Sequence, residues 1–269
     1  MKNSQKIGLL GALMFIVSCS TKKDAFLNRN YNALTTQYNI LYNGGVAFNE
    51  GLQEINASYE DDFFELLPIE PLTFKNKKFR LPQLSSSSNK PGKGFKESPE
   101  QEESLTPFDI AEQKAVKAIQ KHSMNIYGKE RNKKIDDAYL LLGKSRYYTE
   151  RFIPAIDAYN YIIANYPNSN LLNETKIWRA KAHIRLENEE LAIETLEILL
   201  RKPDLSDLIR EEATTTLAMA YSKADTIELV RKYLWQATET SKNKVQKARN
   251  LFVLGQLYGL DGIKDTASI

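Results

Sequence analysis

Small residues recur along the second half of the chain at a nearly constant distance, and this period limits the possible folds more than any other feature. One series keeps steps of 37, 38 and 37 residues: Gly143, Ala180, Ala218 and Gly255. A second series keeps the same steps: Ala155, Ala192, Val230 and Ala267. Periods of about 20 to 50 residues are typical of stacked repeats, which bury a core that no single unit could form. The alternative is a helical bundle with accidental spacing, but two matching series favour an all-α solenoid of helical hairpins.

The first unit, residues 136–167, resembles a tetratricopeptide repeat, a helix–turn–helix unit of about 34 residues. The residues that carry the resemblance are Tyr139, Leu142, Gly143, Ala155, Tyr159 and Pro167. We expect the two helices to touch at the small residues and the second helix to end before Pro167. Arg146 departs from the motif, which usually has Tyr there. The chain stops two residues after Ala267, so the last repeat is incomplete, and we expect the chain to be the N-terminal part of a longer protein.

The N-terminus has the pattern of a lipoprotein signal peptide, residues 1–18. Lys2 and Lys6 precede a short apolar run, residues 7–17, which is too short to cross a bilayer. The run ends in Ser18-Cys19, which resembles a bacterial lipobox, and Cys19 is the single cysteine of the chain. We therefore predict a lipid on Cys19. A Ser after the Cys resembles lipoproteins that are sorted to the outer membrane. We expect the protein to lie there, facing the periplasm.

The chain between Cys19 and the repeats divides into three parts. Residues 19–81 are predicted to hold a helical hairpin and a loop, the hairpin (28–58) breaking at Asn43-Gly44-Gly45 because glycine readily leaves the helical conformation. Residues 82–107 are rich in Ser, Pro, Gly, Lys and Glu and are predicted to be a disordered insert. An amphipathic helix over 108–123 then begins the repeat region, residues 108–269.

The net charge argues against a nucleic-acid partner. The net charge is +3, and removal of Lys2 and Lys6 with the signal peptide lowers it to +1, so we expect no nucleic-acid partner. The run from Phe74 to Arg80 holds four cations and two aromatic residues. A headgroup or nucleic-acid patch is one interpretation, and a solvated loop is the favoured one.

The sequence offers no catalytic constellation, and we expect no enzyme activity, cofactor or metal site. Phosphate-loop, dinucleotide-loop, zinc-protease and serine-hydrolase motifs are all missing from the sequence. His122 is expected at a helix end and His183 in packing. Asp136-Asp137 is interpreted as a helix start, where negative charge complements the macrodipole. For Trp178 and Trp235 two locations remain possible, the core and an exposed peptide-binding groove.

Several stretches together resemble the N-terminal part of the SprE/PorW family of Bacteroidota. They are the lipobox region, residues 29–52, 118–124, 135–148 and 251–260. The resemblance implies a tetratricopeptide outer-membrane lipoprotein needed for type IX secretion and, in some species, gliding motility. It also implies protein partners in the secretion apparatus, namely the outer-membrane translocon and the periplasmic ring proteins.

Three other functions stay open at this point. Nutrient-binding lipoproteins and lipoproteins of outer-membrane protein assembly also carry helical repeats. The first class would need an aromatic sugar platform and a surface-export signal, neither of which is evident, and only residues 29–52 and 118–148 separate the second from type IX secretion. An unrecognised hydrolase is the enzymatic alternative.

Overall fold

The computed structural model describes residues 20–72 and 105–260. The signal peptide, Cys19, the cationic run 74–80, residues 82–104 of the proposed insert and Ala267 lie outside the described residues. Nine helices follow one another in the described parts, together with one short hairpin. Helix α1 has three consecutive parts, Phe26–Leu34, Thr35–Leu41 and Tyr42–Ser58. The elements after it are α2 (Pro107–His122), β1 (Asn125–Ile126), β2 (Lys129–Glu130), α3 (Ile135–Tyr148), α4 (Phe152–Asn165), α5 (Leu172–Arg185), α6 (Glu189–Leu200), α7 (Asp207–Lys223), α8 (Ile227–Thr240) and α9 (Lys244–Leu260).

Each helix packs against the next one along the chain, which is the pattern of an all-α solenoid of helical hairpins. The first helices α3, α5 and α7 also contact one another in succession. The fold class expected from the 37- and 38-residue steps is therefore confirmed. The one small sheet, β1 and β2, was not expected and lies between α2 and α3.

The predicted small residues that the structure describes lie on the helices where they were expected. Gly143, Ala180, Ala218 and Gly255 lie on the first helices α3, α5, α7 and α9; Ala155, Ala192 and Val230 lie on the second helices α4, α6 and α8. A Cβ on Gly143 would overlap the ring of the fully buried Tyr159, so this position requires glycine. Leu142 is buried and Tyr139 partly buried, and α4 ends before Pro167 as expected.

The turns inside the hairpins share one backbone conformation. Glu150, Glu187 and Asp225 all have φ between 55° and 62°, and they follow the first helices α3, α5 and α7. Left-handed residues at a helix C-terminus allow the last carbonyls to find partners and the chain to reverse. The turns therefore repeat with the same 37- and 38-residue steps as the small residues.

The expected hairpin at 28–58 is wrong, because this region is one continuous helix. Helix α1 comprises Phe26–Leu34, a π-helical stretch Thr35–Leu41, and Tyr42–Ser58. Gly44 does not break it, since a Cβ there would lie 2.8 Å from Leu141 and 3.1 Å from the Cβ of Lys114. The glycine therefore serves close helix packing, and its low helix propensity, worth about 1 kcal/mol, is overridden.

The partner of α1 in its hairpin is α2, on the far side of the proposed insert. Helix α2 begins at a capping box in which Thr106 and Asp109 exchange hydrogen bonds of 3.0 and 3.2 Å, followed by Pro107. Phe48 and Phe108 meet edge to face across the pair, with ring centroids 5.4 Å apart. The N-terminal region is thus the first unit of the solenoid.

Candidate functional site

The first helices of the repeats share a face that is covered by a segment of the same chain, residues 59–72. We call these surfaces the first-helix face and the inner segment. The inner segment has no helix or strand and follows α1 directly. Its buried apolar residues Leu67 and Ile69 belong to the core formed by α5 to α9, and Leu72 belongs to the core around α3 and α4. The inner segment therefore crosses the solenoid from α9, the last described helix, to α3.

Polar side chains of α9 hold the first half of the inner segment. Arg249 forms an ion pair of 2.7 Å with Asp61 and donates a hydrogen bond of 3.0 Å to the carbonyl of Pro68. Gln256 accepts from the amide of Leu67 at 3.0 Å and donates to the carbonyl of Glu65 at 2.8 Å. A glutamine amide that pairs with main chain on both sides is a direct way to bind an extended peptide without requiring a particular side chain.

A largely buried charge cluster holds the second half of the inner segment. The carboxylate of Glu70 accepts hydrogen bonds from Tyr147 at 2.7 Å and from Arg185 at 2.5 Å, and Lys181 lies 3.6 Å away. Arg185 also donates to the hydroxyl of Tyr147 at 2.9 Å. Lys181 has a second partner in Glu212, at 3.3 Å. One carboxylate of the inner segment thus connects α3 to α5.

The cluster is electrostatically complementary. Burial alone would raise the pKa of Glu70, but the positive charges of Lys181 and Arg185 and the hydrogen bonds from Tyr147 and Arg185 outweigh it, so its pKa is lowered. Burial lowers the pKa of the Lys181 ammonium, and the carboxylates of Glu212 and Glu70 outweigh that effect and raise it. Glu70, Lys181 and Arg185 therefore all carry their charges at neutral pH, and each charge faces one of opposite sign.

The two tryptophans take different places. Trp178 is only 7% exposed, and the ammonium groups of Lys144 and Lys181 lie 5.0 and 4.5 Å from its ring centroid. Trp178 is thus in the core, and its ring lies under the ammonium group of Lys181, a member of the charge cluster. Trp235 lies on the second helix α8 and is 42% exposed, so it belongs to neither the core nor the first-helix face.

A cavity of about 230 Å³ remains open beside the inner segment. Ile69 and Glu70 form one wall, and Lys181, Glu212 and Met219 form part of the other. The inner segment therefore fills the first-helix face without covering all of it.

The other residues considered from sequence lie at helix ends or in the packing between helices. Nδ1 of His122, at the end of α2, lies 2.9 Å from Oδ1 of Asn32 in α1, and its pKa is lowered by burial and by Lys117 and Lys121. Asp136 starts α3 and accepts from Ser169 at 2.7 Å. His183 is partly buried on α5, where burial and Arg179 lower its pKa. Within residues 20–72 and 105–260, no group of three His, Cys, Asp or Glu side chains is arranged to hold a metal ion.

Arg146, the departure from the repeat motif, makes contacts that a Tyr could not. Its Nε donates to Glu112 of α2 at 2.9 Å, and its Nη1 donates to the carbonyl of Pro154 at 3.0 Å. Arg151 pairs with the same carboxylate of Glu112. The departure therefore serves the junction between the first two hairpins.

Sequence reasoning did not find the inner segment as a bound element. We expected a loop there, and its lack of regular structure agrees with that expectation. The available signal was the alternation of apolar residues with prolines and one acid, Leu67-Pro68-Ile69-Glu70-Pro71-Leu72. Such a pattern is too short to distinguish a solvated loop from a strand-like segment that is buried by distant helices.

The fold and the face together define an all-α solenoid of helical hairpins that binds an irregular segment of its own chain. No protein-family model matches the chain, and no curated protein is significantly similar to it in sequence. In the described parts, no helix is both long and apolar enough to cross a membrane.

Proposed function

We propose that this protein is a non-enzymatic scaffold that mediates protein–protein contacts in type IX secretion and gliding motility. The observation that carries the scaffold proposal is the solenoid itself, whose faces present side chains from several successive hairpins, as repeat proteins do when they bind other proteins. The resemblance of residues 29–52 and 118–148 to the SprE/PorW family supports the assignment to type IX secretion.

The second-helix face is the surface that we propose for these contacts. The first-helix face is largely filled by the inner segment, whereas the second helices expose large apolar residues to solvent. Ile153, Ile198 and Trp235 lie on α4, α6 and α8 and are exposed by 65%, 51% and 42%. Three exposed apolar side chains on three successive hairpins are consistent with a protein contact surface.

We further propose that the protein is held at the periplasmic face of the outer membrane by a lipid on Cys19. The pattern of residues 1–20 supports this location. Replacement by Cys19→Ala should move the protein from the outer-membrane fraction to the soluble or inner-membrane fraction, measured by immunoblotting of separated envelopes. An unchanged distribution would refute the anchor.

Site-specific photocrosslinking in the native envelope tests the scaffold proposal. A photoreactive amino acid would replace Ile153, Ile198 or Trp235 in the tagged full-length gene product, and the exposed Asn168 between α4 and α5 is the matched control position. Mass spectrometry should recover the outer-membrane translocon or the periplasmic ring proteins from the apolar positions and not from the control.

Other products of the same experiment would point to other functions. A sugar transporter would indicate a nutrient-binding lipoprotein, and the barrel-assembly machinery would indicate a lipoprotein of outer-membrane protein assembly. Either result would overturn the assignment to type IX secretion and leave the lipid anchor to be judged by the Cys19→Ala fractionation.

A further inference from the structure

The first half of α1 is turned with its polar side toward the protein. Asn28, Asn32 and Thr36 are buried, with exposures of 3% or less. Leu27, Tyr31, Leu34, Tyr38 and Tyr42 lie on the opposite side and are exposed by 50% to 70%. A surface helix of a soluble domain normally has the reverse arrangement, with its apolar stripe toward the core.

A polar network holds this orientation. Asn132, which is buried, donates to the hydroxyl of Thr36 at 3.0 Å and to the carbonyl of His122 at 2.9 Å. The ring of His122 contacts Asn32, and Thr36 donates to the carbonyl of Asn32 at 2.7 Å. Rotation of the helix would bury leucine and tyrosine but would break these hydrogen bonds, which is costly for buried polar groups. The network therefore keeps the apolar side of the helix outward.

The exposed side is a continuous uncharged surface, which we call the outer stripe: Leu27, Tyr31, Leu34, Tyr38 and Tyr42. From Asn30 to Asn49 the sequence contains no charged residue, and its exposed polar residues are amides. Solvated helix faces normally carry charges, and an apolar patch of this size indicates a surface that another phase or molecule covers.

We propose that the outer stripe lies on the headgroup layer of the lipid bilayer, so that α1 is an interfacial helix. This inference rests on the proposed lipid anchor, because residues 20–25 join Cys19 to the start of α1 and span at most about 25 Å when fully extended. A lipid on Cys19 would thus keep the outer stripe within reach of the membrane surface.

The side chains of the outer stripe suit this environment. Tyrosine is enriched at membrane–water interfaces, where its ring lies among apolar groups and its hydroxyl meets water and headgroups. Leu27 and Leu34 alternate with tyrosines, and Lys22 and Lys23 precede the helix where lipid phosphates would lie. The absence of charge from residues 30 to 49 lowers the desolvation cost of such a contact.

Fluorescence from a probe on the outer stripe tests this proposal. The single native cysteine would be blocked by its lipid, so Leu34→Cys can be labelled selectively with an environment-sensitive fluorophore in the lipidated protein. Ile153→Cys on α4, exposed by 65%, is the matched control. In vesicles of phosphatidylethanolamine and phosphatidylglycerol, the probe at 34 should shift to the blue and be quenched by lipids with spin labels near the headgroup, whereas the probe at 153 should not change.

The failure of this proposal can be separated from the failure of the anchor. Flotation of the protein with vesicles reports the anchor, and the probe reports the outer stripe. A floating protein whose probe at 34 stays in water overturns the stripe proposal and leaves the anchor standing, and so does a probe that is shielded only in native envelopes, since a protein partner would then cover the stripe.

A second measurement decides the matter if the anchor fails. Protein with Cys19→Ala should still bind the same vesicles weakly, and the additional changes Leu27→Glu, Leu34→Glu and Tyr38→Glu should reduce its partitioning at least tenfold. All three side chains are exposed, so circular dichroism should show an unchanged helix content. Equal partitioning of the two proteins would overturn the proposal.

Discussion

A single carboxylate, that of Glu70, makes most of the polar contacts between the second half of the inner segment and the first-helix face. Glu70 is 115 residues from Arg185 and 77 from Tyr147 along the chain, yet its oxygens contact both. Removal of a carboxylate from water costs several kcal/mol unless the lost hydration is replaced. Here two cations and a phenol replace it.

We predict that Glu70→Gln lowers the free energy of unfolding by about 2–3 kcal/mol, because it leaves Arg185 and Lys181 with incomplete charge compensation in a largely buried site. Glu212 retains its contact with Lys181, which keeps the loss below that of a fully unpaired charge. Urea denaturation would measure the change, with the exposed Glu190→Gln as the control. Equal midpoints for the two variants would show that the cluster contributes nothing.

The same carboxylate predicts how stability depends on pH. The pKa of Glu70 is lowered from 4.5 in the folded protein, so its contribution is fully present above pH 4.5 and is lost as the pH falls through the lower folded value. The difference in unfolding free energy between the wild type and Glu70→Gln should therefore be constant from pH 7 to 5 and shrink below pH 4.5. A difference that grew on acidification would contradict the assigned direction of the shift.

At the scale of elements, glycines mark places where helices approach closely and where they do not. Gly143 accommodates the ring of Tyr159, whereas a Cβ on Gly45 would meet no atom within 4 Å. Both lie inside helices, α3 and α1, and alanine favours a helix by about 1 kcal/mol over glycine. The same substitution thus has opposite consequences at the two positions.

We predict that Gly143→Ala destabilises the protein by about 2 kcal/mol through overpacking against Tyr159, and that Gly45→Ala stabilises it by about 0.5–1 kcal/mol. Thermal or urea denaturation of the two variants against wild type would measure both changes. Destabilisation by Gly45→Ala would indicate that the chain turns at Asn43-Gly44-Gly45 after all, since alanine is strained in a turn with positive φ.

On the scale of the whole molecule, the inner segment changes the way in which the repeats depend on one another. Stacked repeats usually contact only their neighbours, so their ends can open independently. Here Leu67 packs in the core near α9 and Leu72 in the core near α3, within one short stretch of chain. The inner segment therefore couples α3, in the second hairpin, to α9, the last described helix.

We predict that the double substitution Leu67→Ser and Ile69→Ser lets α9 open before α3, because it removes the buried apolar contacts that connect the inner segment to α5–α9. Hydrogen exchange with mass spectrometry should show faster exchange in α9 by tenfold or more, with α3 little changed. The fully exposed Phe64→Ser is the control and should leave both helices protected. Uniformly faster exchange in all helices would show that the repeats already unfold as one unit.

The sequence by itself determined the helices of the repeats, the closeness of their packing and the ends of their hairpins. These features depend on local properties that recur with the repeat: the volume of Gly143 or Ala180 and the ring of Pro167. Each acts within one or two turns of helix, or between the two helices of one hairpin, so the residue pattern alone predicts it.

Only the tertiary structure decided the continuity of α1, the outward direction of its apolar side and the burial of the inner segment. Gly44 stays helical because Leu141 and Lys114 lie against it. Asn32 faces inward because it contacts His122, which is 90 residues further along the chain. The same holds for Trp178, which is in the core, and Trp235, which is not. These outcomes depend on which distant residues meet, and neither helical periodicity nor composition contains that information.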